Sequence, residues 1–148
     1  MTDPRDVYVT AILELFRDRD EPLTVDLARR LTDADREALN TLLGGAFAVL
    51  TACNPHGRMI GDAENQVLSA QLKERLRAAG TPFTRADGRS PDNSYRETGV
   101  AVSLSQPAAL DLALDLEQEA YYWFDGENIW LVGALAKHEP VRLPRNND

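Results

Sequence analysis

Between Ala46 and Asn65 the chain reads AFAVLTACNPHGRMIGDAEN, which sets Thr51, Asn54, His56, Arg58, Glu64 and Asn65 close together. The apolar run that opens this segment has the character of a buried strand, and the segment after Asp62 that of a helix, so the polar residues fall at a strand–loop–helix corner. Backbone N–H groups at a helix N-terminus, with the Arg58 guanidinium beside them, suit a phosphate or carboxylate. In this reading Arg58 pairs with the anion and Asn54 and Asn65 orient it. Tyr95 and Glu97 join them if the strand that follows Tyr95 lies beside the first strand. Glu97 would then hold Arg58 or accept a proton from the ligand. The expected ligand is small and anionic or nucleotide-like, with Asn54, Arg58, Asn65, Tyr95 and Glu97 lining its pocket. The loop is not a phosphate-binding Walker loop, because the Gly-Lys-Ser/Thr ending is missing. A simpler account has Asn54 and Pro55 shaping a turn, Arg58 solvated, and Glu64 and Asn65 serving the helix terminus.

Other chemistries find fewer parts. Cys53 and His56 are three residues apart, which invites a cysteine–histidine pair, but side-chain alternation along a strand sends them in different directions. A lone cysteine at a strand end is chiefly a packing residue. His56 with Glu64 or Glu97 makes only a fragment of a metal site, so neither metal nor cofactor is expected. No triad or spaced carboxylate pair marks an enzyme, and whether the chain catalyses anything stays open. The net charge of −8 disfavours nucleic acid. The stretch from Asn54 to Glu97 carries +1 against −9 elsewhere. With Tyr121, Tyr122 and Trp123 as a stacking face, it keeps single-strand binding as an alternative.

The elements that must place these residues follow from periodicity and caps. Asp3-Pro4 starts a helix whose apolar positions run from Val7 to Phe16. Thr24 caps a short second one, VDLARRL. Thr32, with Asp35 three residues on, caps a third, DADREALNTLL, which ends at Gly44-Gly45. Residues 1–45 are thus expected to be a helical arm or subdomain, packed on the body or offered to a second copy of the chain. The core, 46–134, runs strand (Ala46–Ala52), helix (Asp62–Ala79), strand (Pro82–Ala86), strand (Tyr95–Leu104), helix after Ser105, and the hairpin Ala120–Phe124 and Ile129–Val132. Asp87–Ser94 is expected as a loop and 135–148 as a loose polar tail. This is an α+β order, ferredoxin-like antiparallel or mixed in its sheet.

At 148 residues with 43% apolar and 27% charged side chains, the chain suits one globular domain. No apolar run approaches a membrane span, and no export signal is evident at the N-terminus. One cysteine fits the reducing cytoplasm. From Thr51 to Val102 the sequence resembles the bacterial domain-of-unknown-function family 3293. The likeness lies in Thr51-Ala52, Asn54-Pro55, Glu64-Asn65 opening a helix that carries Leu72 and Leu76, then Gly88, Asp92, Tyr95 and Glu97. It extends over about residues 46–132. It departs from the family pattern at Cys53, often aromatic there, at Tyr95, usually Trp, and at Gly99, often larger. The resemblance implies a shared core and transfers no activity.

Overall fold

The computed structural model describes residues 6–18 and 21–145. All strand pairings are antiparallel, and one curled sheet takes in every strand. In chain order the elements are α1 (Asp6–Val9), β1 (Ile12–Leu15), β2 (Leu23–Asp26), α2 (Asp33–Leu42), β3 (Phe47–Leu50), α3 (Asp62–Ala78), β4 (Phe83–Arg89), β5 (Arg96–Val102), α4 (Gln106–Asp115), β6 (Ala120–Phe124), β7 (Ile129–Gly133) and β8 (Val141–Leu143). Across the sheet the order is β2-β1-β4-β5-β3-β6-β7-β8.

The two faces bury different residues. Ala48, Leu50, Val100, Val102 and Tyr121 pack under Leu72 and Leu76 of α3 and Ala109, Leu112 and Ala113 of α4. Leu13, Leu15, Phe47, Val49, Ala86, Tyr122 and Phe124 pack on the other face with Val9 and with Leu39 of α2. Phe47 and Phe124 are directly opposed in the β3–β6 ladder and their rings sit 5.3 Å apart, a favourable tilted contact. The caps of α2 and α4 form as their sequences predict. Thr32 accepts from the Asp35 amide while Asp35 accepts from the Thr32 amide, and the Ser105 hydroxyl accepts from Ala108. Gly44 and Gly45, both at positive φ, stop α2.

The N-terminal third departs from the helical reading. Ile12–Leu15 and Leu23–Asp26 are strands that widen the sheet beyond β4, and Asp3-Pro4 lies outside the described residues. The deciding pattern is period two. Leu13, Leu15, Val25 and Leu27 are buried while Ile12, Glu14, Thr24 and Asp26 are less so. A short run of β-branched and leucine residues fits either period, and the free edge of β4 selects the strand. At the other end Val141–Leu143 is not loose: it pairs with β7. The expected loop from Asp87 loses its first three residues to β4, which pairs with β5 from Phe83↔Val102 to Arg89↔Arg96.

That longer β4 carries a charge network. Asp87, fully buried, accepts from Arg85 at 2.8 and 3.1 Å and from Arg96 at 2.9 Å. Glu14, opposite it on β1, accepts from Arg89 at 2.7 Å and Arg96 at 2.8 Å. The hydrogen bonds from Arg96 and Arg89 pull the Glu14 carboxyl down to about 2. Unfolded Glu14 takes up its proton near its ordinary value, well before the folded form does, so acid favours the unfolded chain. Stability that is complete above about pH 4.5 is expected to fall as pH drops toward 2. Replacing Glu14 with Gln should flatten that part of a pH–denaturation curve. An unchanged slope would show that the network adds nothing.

Candidate functional site

β3 ends where it leaves β5. After Leu50 the Thr51 hydroxyl donates to the Thr98 carbonyl at 2.8 Å in place of a ladder bond, and accepts from the Cys53 amide at 3.0 Å. The chain then enters the loop 54–61. Asn54 and His56 take left-handed backbone conformations on either side of Pro55, followed by Gly57 at φ 71°. Asparagine tolerates that region better than most residues because its amide can bond locally. The loop is tied back by His56 N–H to the Glu117 carbonyl at 2.7 Å, by the His56 ring 3.4 Å from the Glu117 carboxylate, and by the buried Gln118 amide donating to the Cys53 carbonyl at 3.0 Å.

Four of the five residues expected at the site meet in one network. Asn54 Oδ1 accepts from the Ile60 amide at 3.1 Å and from Asn65 Nδ2 at 3.0 Å. Asn54 Nδ2 donates to Tyr95 Oη and to Glu97 Oε2, both at 3.0 Å. Asn65 Oδ1 accepts from the Asn54 amide at 2.9 Å, and the Tyr95 hydroxyl donates to Glu97 Oε2. Backbone donors on each Oδ1 fix the orientation of both amides. Tyr95 is held by the turn before β5, where its N–H donates to the Ser90 hydroxyl at 3.0 Å and its carbonyl accepts from the Ser90 amide at 2.9 Å. Burial, then the hydrogen bond to Glu97, raises the Tyr95 hydroxyl well above the ordinary tyrosine range, so it remains a donor.

Arg58 does not join them. It is exposed, and its guanidinium has no hydrogen bond or ion pair among the described residues. The loop that was expected to aim it inward turns at Gly57 and Arg58, whose amides bond back to the Asn54 and Pro55 carbonyls. Cys53 is buried with its sulfur 3.7 Å from Ser69 Oγ, so it faces α3 rather than His56. Among the described residues no three of His, Cys, Asp and Glu come together as a metal site. Tyr121 and Tyr122 are largely buried, and Arg75, Arg77, Arg85, Arg89 and Arg96 of the basic stretch are each ion-paired.

The network borders a cleft of about 820 Å³ on the sheet face opposite α3 and α4. The reason the cleft exists is written in β4 and β5. Ala86 and Gly88 stand where larger side chains would fill the face, and Gly88 lies directly across from Glu97. The walls come from Tyr8, Tyr95 and Tyr122, and Val7 and Met59 stand exposed at its lip. The Tyr122 hydroxyl donates to the Tyr8 carbonyl at 2.7 Å and fixes α1 over the floor. Tyr8 is raised by burial and then by the charges of Glu97 and Glu119. Asn54 reaches the cleft, whereas Asn65 stays behind it as a brace. Sequence reasoning missed Tyr8, Gln118, Glu119, Tyr122 and His138 as lining residues. The pairing of β3 with β6 brings Gln118, Glu119 and Tyr122 to this corner, and the Tyr122 hydroxyl holds Tyr8 there.

The fold and the site together define a small α+β protein with a carboxylate-bearing cleft beside an asparagine-braced loop. The model of a family described as a protein of unknown function (DUF3293) matches residues 50–121, and over that stretch the chain resembles the family. The match starts at the end of β3, stops within β6, and contains the whole Asn54–Asn65–Tyr95–Glu97 network. It is narrower than the stretch from 46 to 132 expected above. No match is found among curated proteins or among solved structures.

Proposed function

We propose that the protein binds a small, flat organic molecule of nucleobase size in this cleft. The observation that supports it is the pairing of an empty floor with a built polar end. A sheet whose own residues leave the face unfilled, aromatic walls, and a few convergent polar groups are what small-molecule sites have in common, and the volume falls in their range. The polar end is Glu97 with Tyr95, while Asn54 and Asn65 hold it in place. We read the frame as a ferredoxin-like core, β3-α3-β4-β5-α4-β6 in the order β4-β5-β3-β6, widened by β1 and β2 at one edge and β7 and β8 at the other.

Gly88→Val tests this reading. A Cβ at Gly88 meets only a Leu13 methyl, at an ordinary contact distance of 3.9 Å, so the added side chain is expected to occupy the cleft. Valine also prefers a strand, by up to about 1 kcal/mol. Compounds from a panel of nucleobases, nucleosides and aromatic amines that raise the melting temperature of the wild type are expected to have no effect on Gly88→Val, whose own melting temperature is unchanged or higher. A panel that shifts neither protein, or shifts both alike, removes the cleft as a ligand site.

A further inference from the structure

The way Glu97 is held tells which chemistry the cleft selects. Both of its donors, Tyr95 Oη and Asn54 Nδ2, bond to Oε2. Among the described residues Oε1 has no partner. A half-buried carboxylate has lost part of its hydration, and here the protein replaces it on one oxygen alone. Asn54 is itself saturated, with two bonds given and two received, so it cannot turn to serve a ligand. The Tyr95 hydroxyl is likewise committed as a donor to Glu97. The remaining charges at the cleft point the same way. Glu119 adds a second carboxylate near Tyr8. Arg89 belongs to Glu14 and Ser90, at 2.7 and 3.2 Å, and His56 belongs to Glu117. The one arginine lining the cleft is thus not left for an anion, His138 has its Nδ1 against the Glu139 carbonyl at 2.9 Å, and Glu97 Oε1 is left for a donor.

We infer that the cleft takes a ligand whose polar end is cationic or presents paired N–H donors, an amidine, guanidine or amino-heterocycle edge, bonded to Glu97 Oε1 with its ring against the tyrosines. This rests on the cleft being a ligand site and narrows its flat ligand to a donor-bearing one, in place of the anion expected from the sequence. Cationic groups gain further from the faces of aromatic walls.

Three probes of one shape separate the possibilities: benzamidine, benzamide and benzoate, titrated into the full chain while amide NMR shifts are followed. Benzamidine is expected to move the amides around Glu97, Tyr95 and Tyr8, with an affinity at least about tenfold above that of benzoate. Glu97→Gln, which keeps the shape and one acceptor oxygen but replaces the other with a donating NH2 and loses the charge, is expected to weaken benzamidine about tenfold or more. Gly88→Val, which leaves Glu97 charged but fills the space beside it, is expected to abolish the shifts even if Glu97→Gln folds poorly. Benzamide or benzoate binding in the cleft as well as benzamidine does would overturn the charge preference and leave the cleft standing. Benzamidine bound with no response to either variant would overturn the assignment to Glu97. No shift from any of the three would count against both the inference and the cleft.

Discussion

Asn54→Ala is expected to be among the most damaging single substitutions in the chain, lowering stability by about 3–4 kcal/mol. The side chain makes four hydrogen bonds, and its removal strands the Ile60 amide, Asn65, Tyr95 and Glu97 in partly buried surroundings. A net hydrogen bond is worth about 1 kcal/mol, and a buried partner left unsatisfied costs more. Alanine also bears a cost of about 1 kcal/mol at φ 51°, where asparagine sits comfortably. For a chain of this size the melting temperature should drop by about 10 °C. Two companion variants divide the effect. Asn54→Gly removes the backbone strain and should recover only the smaller part. Asn54→Asp keeps both acceptor bonds but faces Glu97 with a second carboxylate and gives up both donors. That pair binds a proton more tightly when folded than when unfolded, so this variant should gain stability as pH falls from 7 to 5, while the wild type does not. A loss below about 1 kcal/mol for Asn54→Ala would mean that the loop is held by its other ties, chiefly Gln118 and Glu117.

The second large effect is expected at Gly99, and Gly88 is its control. Both glycines lie on the same face of the β4–β5 ladder, Gly99 across from Ala86 and Gly88 across from Glu97. Adding the same methyl group should have opposite results. At Gly99 the new Cβ runs into the Leu50 carbonyl, with the Leu50 carbonyl carbon at 3.1 Å and the Ala86 oxygen at 3.2 Å. These are backbone atoms of two neighbouring strands, which cannot step aside as a side chain can. Gly99→Ala is therefore expected to cost about 3 kcal/mol or more, at or above the usual range for overpacking. Gly88→Ala is expected to be neutral or mildly stabilising. In this chain the close approach of β3 and β5 is what ends their ladder and frees the loop toward Asn54, so a larger residue at 99 requires the Leu50 carbonyl to sit elsewhere. Urea denaturation of the two alanine variants decides the matter. Equal stabilities would show that β3 yields to the methyl group.

Read by itself, the chain specified most elements whose signal is local, the helix expected over VDLARRL after Thr24 being an exception that became β2 and a turn. Thr32 and Ser105 cap their helices because the cap is completed within three residues. Gly44-Gly45 ends α2, and Leu72 and Leu76 face the sheet because their spacing puts them on one side of α3. It also marked Asn54, Asn65, Tyr95 and Glu97, because polar residues clustered at element ends stand out against an apolar background. What it left open is whatever depends on partners distant along the chain. Ile12–Leu15 became a strand because β4 offers an open edge some seventy residues later, and Val141–Leu143 because β7 does the same. Arg58 pointed outward because the loop closes on its own carbonyls, a backbone choice that side-chain identity does not announce. The cleft was the least legible feature of all. It is made of absent atoms at Ala86 and Gly88, and missing volume becomes a cavity only when the sheet curls and α1 is laid across it. Local chemistry fixed which groups could meet; the long-range pairing of strands decided which side of the sheet they share and left Glu97, among the described residues, with one oxygen bound and one without a partner.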